Sequence, residues 1–418
     1  VVSPTLDDFR YEAKAFLDTN AQARSESGPF EWGVGSDDVS LFEELDDAEE
    51  AAALNRAKTW RALRYDAGLG WITGPKELGG RGLTREYERV YASLEARYMV
   101  PDTSFFGISL GMVAPTIQAH AQDAVKARYL PSLYRGDLIA AQLFSEPEAG
   151  SDLAGLQMRA VRDGDVWRLS GQKVWTSGAH YCDIGEVLCR TDPDASKHRG
   201  ITALVVDLRA PGVEVRPLRQ ITGGAAFNEV YFDDVGVPDD HRLGEVNGGW
   251  SVALTTLMNE RASIGSGSGG RGGGIGNGER LIEMLRHYGR NDDAVLRQDL
   301  ARIYSGFQVA KWTSQRSMTR VRAGGVPGPE MAGSKLALTA NMRAVSDLVS
   351  QVLGPRLIAD TGEWGTYAWG KFLLGTSGLR IAGGTDEVLR KITAEQVLGL
   401  PKEPGVDTTS PFRDLPKS

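Results

Sequence analysis

The chain is poor in the residues that hold disulfides and metals. Cys182 and Cys189 are its only cysteines, which excludes a disulfide framework and a thiolate metal site and predicts a reducing compartment. Its five histidines (His120, His180, His198, His241 and His287) are scattered, without an HxxxH or HxxE pair, so zinc and haem have no ligand set. No apolar run approaches the ~18 residues that a membrane span needs, and the opening VVSPTLDDFR lacks the basic-plus-apolar pattern of a secretory leader. Positive charge is in deficit, with 47 Lys and Arg against 55 Asp and Glu and a formal net charge of −8. That balance argues against a nucleic-acid or anionic-membrane partner. The expectation is a cytoplasmic protein with no membrane span.

What remains is an ordinary globular composition, 418 residues with 41% hydrophobic and 24% charged, long enough for two or three domains at roughly 150 residues each. Residues 1 to about 135 read as helical. In DDAEEAAALNRAKTWRALRYDAG the apolar positions between Leu54 and Leu63, including Ala57, Trp60 and Ala62, follow a period near 3.6. Gly68 and Gly70 are placed to stop that helix. GPKELGGRGLT is a Gly/Pro-rich loop, and TREYERVYASLEARY resumes the helical pattern.

Near Ala140 the character changes. MRAVRDGDVWRL alternates and is divided by Asp163-Gly164, a hairpin turn signal. The short runs ITALVVDL, VEVRPL and NEVYFDDV follow, each bounded by turn residues. These predict a small antiparallel sandwich or barrel rather than a βαβ array. From Trp250 helical patterning returns and continues to about Leu400. The expected class is therefore α+β and multi-domain: an N-terminal helical domain over 1–138, a central antiparallel β-sandwich or barrel over 139–247, a C-terminal four-helix-bundle-like domain over 248–400, and an extended tail over 401–418.

Two β-region motifs have the chemistry of a ligand site. In LFSEPEAGSD, Pro147, Gly150 and Ser151 allow close approach of the main chain to a ligand and supply N–H and hydroxyl donors; the same residues also describe a tight β loop. In GQKVWTSG, Trp175 can cover a planar cofactor while Ser177 donates a hydrogen bond; a core tryptophan fits that pattern too.

Taken in order, LFSEPEAGSD, GQKVWTSG, MNERASIG and IAGGTDEVLRKI resemble four segments of the flavin-dependent acyl-CoA dehydrogenases, and GPKELGGRG resembles an N-terminal loop of that family. The resemblance covers nearly the whole chain. It implies FAD as cofactor, dehydrogenation of an acyl-CoA thioester to the trans-2-enoyl-CoA in lipid metabolism, electron-transfer flavoprotein as acceptor, and a homotetramer, with a heterotetramer as the variant. Gln142, Phe144 and Ser145 would face the isoalloxazine, Gly150 and Ser151 would lie near flavin or coenzyme A phosphates, and Trp175 and Ser177 would lie beside the flavin. Arg290, Gln351 and Gly354 resemble positions that hold the flavin of a neighbouring subunit, although Asp293 and Pro355 depart from the usual aromatic and glycine. Thr385 and Glu387 fall among the cofactor contacts, and Thr385 also reads as the N-cap of the following helix.

The usual catalytic glutamate of the family, two residues before that threonine, is here Gly383. A minority group resembling isovaleryl-CoA and long-chain enzymes places the glutamate before an arginine in the helix that here reads LTTLMNERASIG, which points to Glu260. On a helical wheel Trp250, Ala253, Leu254, Leu257 and Met258 form one stripe, and Glu260 falls about 90° from its middle. Arg261 falls near the stripe centre and so requires a carboxylate or a coenzyme phosphate as partner. The backbone N–H of Gly383 is implied to hold the thioester oxygen.

GSGGRGGGIGNG contains G-x-G-x-x-G at Gly267, Gly269 and Gly272, but no strand precedes it, so the dinucleotide-binding mechanism has no scaffold. Two rival functions remain on the same fold. One is an oxidase or monooxygenase, and the other is a subunit of a heteromeric sterol-CoA dehydrogenase.

Overall fold

The computed structural model describes residues 3–25, 30–41, 45–265, 278–322, 328–404 and 407–416. The N-terminal region is helical. Helix α1 (Leu6–Asn20) opens on a capping box between Thr5 and Asp8 and buries Phe9, Ala13 and Leu17, one per turn. A short strand β1 (Gln22–Ala23) follows, then α2 (Asp47–Asp66), α3 (Arg85–Glu95) and β2 (Tyr98–Met99). Helix α2 buries Ala57 and Trp60 and stops before Gly68, as its periodicity predicts. The β1–β2 antiparallel pair was not expected in this helical stretch; two-residue strands are too short to leave a periodic signal. A single π turn over Ser109–Val113 leads into α4 (Ala114–His120), and α5 (Asp123–Arg135) ends at Gly136.

Eight strands build the centre: β3 (Ala140–Leu143), β4 (Arg159–Asp163), β5 (Val166–Ser177), β6 (Ile184–Arg190), β7 (Ile201–Asp207), β8 (Val213–Leu218), β9 (Phe227–Pro238) and β10 (Arg242–Leu243). Their order is β10-β7-β6-β4-β5-β9-β8, with β3 beside β6. The β4–β5 hairpin turns on Gly164 and Asp165, one residue later than the Asp163-Gly164 signal, because Asp163 pairs with Val166 and Gly164 takes the positive φ.

The purely antiparallel expectation needs correcting. β3 runs parallel to β6, and Arg159 of β4 pairs in parallel with Arg190 of β6. Period-2 alternation is the same in both pairings, and the long excursion from Leu143 to Ile184 supplies the crossover that a parallel neighbour requires.

Every residue of β6 is buried, because its two faces enter different cores. Ile184 and Leu188 meet Val113, Ala114, Ile117, Val252 and Ala253 in the interface with the helices. Val187 and Cys189 join Trp167, Leu169, Val230 and Val235 in a second core.

The C-terminal region comprises α6 (Gly249–Gly265), α7 (Glu279–His287), α8 (Ala294–Arg322), α9 (Ala332–Leu353), α10 (Ala368–Leu379) and α11 (Asp386–Ile392). Leu281, Leu285, Ile303, Val345, Leu348, Trp369 and Phe372 form its core. Helix α6 starts tightly against β7: a Cβ on Gly249 would lie 2.7 Å from the Ala203 nitrogen, so only glycine permits that approach. The Gly267–Gly272 motif lies outside the described residues. The C-terminal tail docks on the loop between β6 and β7, where Phe412 N–H donates to Ala195 O at 2.9 Å and Arg413 N–H to Pro193 O at 3.0 Å. No helix among the described residues is long and apolar enough to cross a membrane.

Candidate active site

A buried ion pair joins the two β-region motifs. Lys173, in GQKVWTSG, donates from Nζ to Glu146 Oε1 at 2.8 Å and to Phe144 O at 3.0 Å, and its side chain is fully buried. Glu146, in LFSEPEAGSD, also accepts the N–H groups of Gln157 and Met158 at 2.6 and 3.0 Å. The Glu146 carboxylate is thus fully employed, which is what makes burial of the pair tolerable. Val174 N–H donates to Ser145 O at 2.9 Å and completes the clasp. Sequence reasoning missed both residues, although a charge in each of two motifs was the available signal.

The clasp sets the positions of the expected contacts. Phe144 is buried, Gln142 and Ser145 are half-buried, and Gly150 and Ser151 are exposed. Asp152 is anchored by Lys197 Nζ at 2.5 Å.

Directly after Lys173 the strand bulges. Lys173 pairs with Val230 and Thr176 with Asn228, so β5 spends one more residue than β9. That extra residue lets Trp175 sit at φ +58°, a left-handed conformation that a bulky side chain adopts only when its surroundings impose it. The indole is 58% exposed and touches Phe227 edge-on. A core tryptophan is therefore excluded. The neighbouring Thr176 Oγ1 is buried with no partner among the described residues, and Ser177 is half-buried at the strand end. An exposed aromatic face fits a planar cofactor.

Helix α6 carries Glu260, and its orientation differs from the wheel expectation. The buried stripe is Gly249, Val252, Ala253 and Thr256, whereas Leu254 is 40% exposed. Glu260 continues that stripe, within about 30° of its centre at 100° per residue, and is half-buried. Hydropathy misplaced the face because Thr256 counts as polar, yet its hydroxyl is satisfied in the interior. Thr256 Oγ1 donates to Glu186 Oε1 at 2.7 Å and lies 2.8 Å from Thr116 Oγ1. Glu186 was not anticipated. It is fully buried among apolar neighbours, and burial, opposed only by the Thr256 hydrogen bond, pushes its carboxyl up to about 8. The side chain of Arg261 lies outside the described residues.

Gly383 and Gly384 both have positive φ, +66° and +89°. Lys335, buried on α9, holds this loop by donating to Gly384 O at 2.7 Å and Arg380 O at 3.3 Å. Asp386 receives Thr339 Oγ1 at 3.0 Å, Arg380 Nε at 3.0 Å and Lys335 Nζ at 3.4 Å. Burial alone would raise the Asp386 carboxyl, but the hydrogen bonds outweigh it and hold the group below its usual range. Thr385 caps α11, accepting Val388 N–H at 3.1 Å, as expected. Glu387 is exposed and paired with Arg390. Because α6 and α11 both pack on α9, that helix links Glu260 to the Gly383 loop.

Arg290, Gln351 and Gly354 lie at the other end. Lys335 and Gln351 are separated by roughly 24 Å along α9 at 1.5 Å per residue, so these three stand apart from the Gly383 loop of their own chain. Arg290 is paired with Asp293 at 2.9 Å, and Asp293 also caps α8 through Val295 and Leu296. Gly354 has φ +52° and open space around its α-carbon.

Comparison with known proteins identifies the family. Residues 39–137, 141–235 and 247–398 match the N-terminal, middle and C-terminal domains of acyl-CoA dehydrogenase. The chain belongs to the acyl-CoA dehydrogenase family. Members of this oxidoreductase family bind FAD. The chain is similar to acyl-CoA dehydrogenase FadE34 of Mycobacterium tuberculosis, 41% identical over 69% of this chain and 39% of that protein. Acyl-CoA dehydrogenase IpdE1 of the same organism is 36% identical over 85% of this chain and 90% of its own length. Among solved structures, the Tcur3481-Tcur3483 steroid ACAD superposes with a TM-score of 0.72 at 27% identity, covering 96% of this chain and 99% of that one.

Proposed function

We propose that this acyl-CoA dehydrogenase removes the α- and β-hydrogens of an acyl-CoA thioester with Glu260 as the base. The supporting observation is that Glu260 continues the buried stripe of α6 instead of facing bulk water, while position 383 offers only a main-chain N–H. Glu260 takes the proton from the carbon next to the thioester carbonyl. The Gly383 N–H donates to the thioester oxygen and stabilises the charge that develops there. When bound, FAD supplies the acceptor for the β-hydrogen and its electron pair, and electron-transfer flavoprotein is the proposed final acceptor. Trp175, Ser145 and Ser177 hold the ring, and the Lys173–Glu146 clasp fixes their spacing. Arg290, Gln351 and Gly354 are assigned to the flavin of a second subunit, because they stand apart from their own chain's loop. The likeness to the steroid ACAD structure favours a thioester with a bulky, steroid-derived acyl group.

The test is anaerobic flavin reduction with a panel of octanoyl-CoA, palmitoyl-CoA and a steroid side-chain CoA thioester. Glu260→Gln should abolish reduction by every member while keeping the yellow colour; reduction at the wild-type rate would refute the assignment.

The Arg290–Asp293 pair favours one other reading, a subunit of a heteromeric enzyme with a weakened adenine-end contact. Near-stoichiometric flavin in the purified single chain would refute it.

A further inference from the structure

The mechanism above makes no use of Glu186, yet this carboxyl lies in the interface between the sheet and the base-bearing helix. It lies between Ile184 and Leu188, which belong to the apolar core formed with the helices, and it is in register with Gln142 of β3. Its Oε2 is buried with no partner among the described residues. An acid in an apolar interface is retained against the cost of desolvation, so its directional contacts are its distinguishing feature.

Those contacts converge on α6. Thr256 donates to Glu186 at 2.7 Å, Thr116 of α4 lies 2.8 Å from Thr256, and Thr116 Oγ1 lies 2.9 Å from Met112 O in the π turn. With one proton per hydroxyl, Thr256 gives its proton to Glu186, and Thr116 gives its proton either to Met112 O or to Thr256; in the second arrangement each bond polarises the next. Thr256 is the last fully buried residue of α6 before Glu260, one turn earlier on the same stripe. Val252 and Ala253 hold the helix by apolar contact, which has no preferred rotation, whereas a hydrogen bond is directional. A 20° rotation of α6 would carry a side-chain tip by roughly 2 Å on a helix of ~6 Å outer radius. A displacement of about 1 Å can cost a catalytic group ~100-fold in rate.

We propose that Glu186 is a positioning residue: through Thr256 it fixes the rotation of α6 and thereby aims Glu260 at the thioester. This rests on Glu260 being the base. Glu186 is itself sealed from the surface and acts through the helix, without touching substrate.

The experiment uses the flavin-loaded enzyme and whichever panel thioester reduces the wild type fastest. Glu186→Leu should lower the flavin-reduction rate constant at least tenfold, with thioester Kd within threefold of wild type and flavin content unchanged. Glu186→Gln, which keeps the acceptor oxygen, should stay within threefold of wild type in rate. Thr256→Val, isosteric and lacking the donor, should reproduce the Glu186→Leu loss and decides the matter if that variant fails to fold. Wild-type rates in Glu186→Leu and Thr256→Val would overturn the proposal, as would a parallel loss of rate, thioester affinity and flavin in both, which indicates a merely structural role. Glu260→Gln run alongside separates the two failures. If it reduces flavin normally, the base assignment itself is wrong; if it is dead while the other variants are normal, only the positioning role falls.

Discussion

The ammonium of Lys335 and the carbonyl oxygen of Gly384 lie 2.7 Å apart, and that bond ties helix α9 to the loop that carries Gly383. The same ammonium reaches Asp386, whose carboxylate also receives Arg380 and Thr339. Lys335→Met would leave two carbonyls and part of a buried carboxylate without their donor. The expected cost is about 3 kcal/mol, measured as a shift in the urea midpoint. Flavin reduction should slow at least tenfold in the variant that remains folded, because the Gly383 N–H loses its support.

Gly383 sits at φ +66°, where a β-carbon is strained by about 1 kcal/mol. Gly383→Ala should lose roughly that much stability and more than tenfold in rate, since relief of the strain rotates the N–H away. Stopped-flow reduction and thermal melting, performed on the same sample, report the two effects separately.

Breaking the clasp should affect both stability and cofactor retention. Lys173→Met leaves Glu146 as a buried carboxylate without its cation, a change that typically costs 3–5 kcal/mol. The purified variant should be paler than wild type and melt at lower temperature. Full flavin content would show that the clasp does not set the Trp175 bulge.

Glu186 makes stability depend on pH in a direction opposite to most carboxylates. Its pKa is raised in the folded state, to about 8, so between the ordinary glutamate value and 8 the unfolded chain ionises while the folded one does not. Stability is full at the acidic end of this window and falls as pH rises towards 8, by up to ~1.4 kcal/mol per unit from this group. Glu186→Gln should flatten that decline in chemical-denaturation series taken at pH 5, 6, 7 and 8. An unchanged slope would show that Glu186 is ionised in the folded protein.

The tail supports the loop after Ser151 at one remove. The Phe412 ring lies 3.7 Å from the Arg190 guanidinium, which in turn donates to Lys197 O at 2.8 Å and to Ala154 O at 2.7 Å. Phe412→Ala should raise KM for the thioester a few-fold while kcat holds, as expected if the loop near Ser151 binds the coenzyme. An effect on kcat with constant KM would contradict this.

The three-part order, the α2 helix with its buried Ala57 and Trp60, and the Thr385 cap were legible in the sequence because each follows from a local rule, namely periodicity, turn residues or capping. The motifs also announced the family, since their residue order is itself a linear property. What the sequence left open was set by partners distant along the chain. The parallel β3–β6 pairing, the Lys173–Glu146 clasp and the left-handed Trp175 all depend on which strand lies alongside which. The true buried face of α6 was hidden for the same reason: Thr256 is polar in isolation and becomes interior only because Glu186, 70 positions away, satisfies its hydroxyl. The local sequence supplied the elements and the candidate base; which face of α6 is buried was decided by long-range contacts, among them a hydrogen bond in a low-dielectric interface that no local pattern encodes.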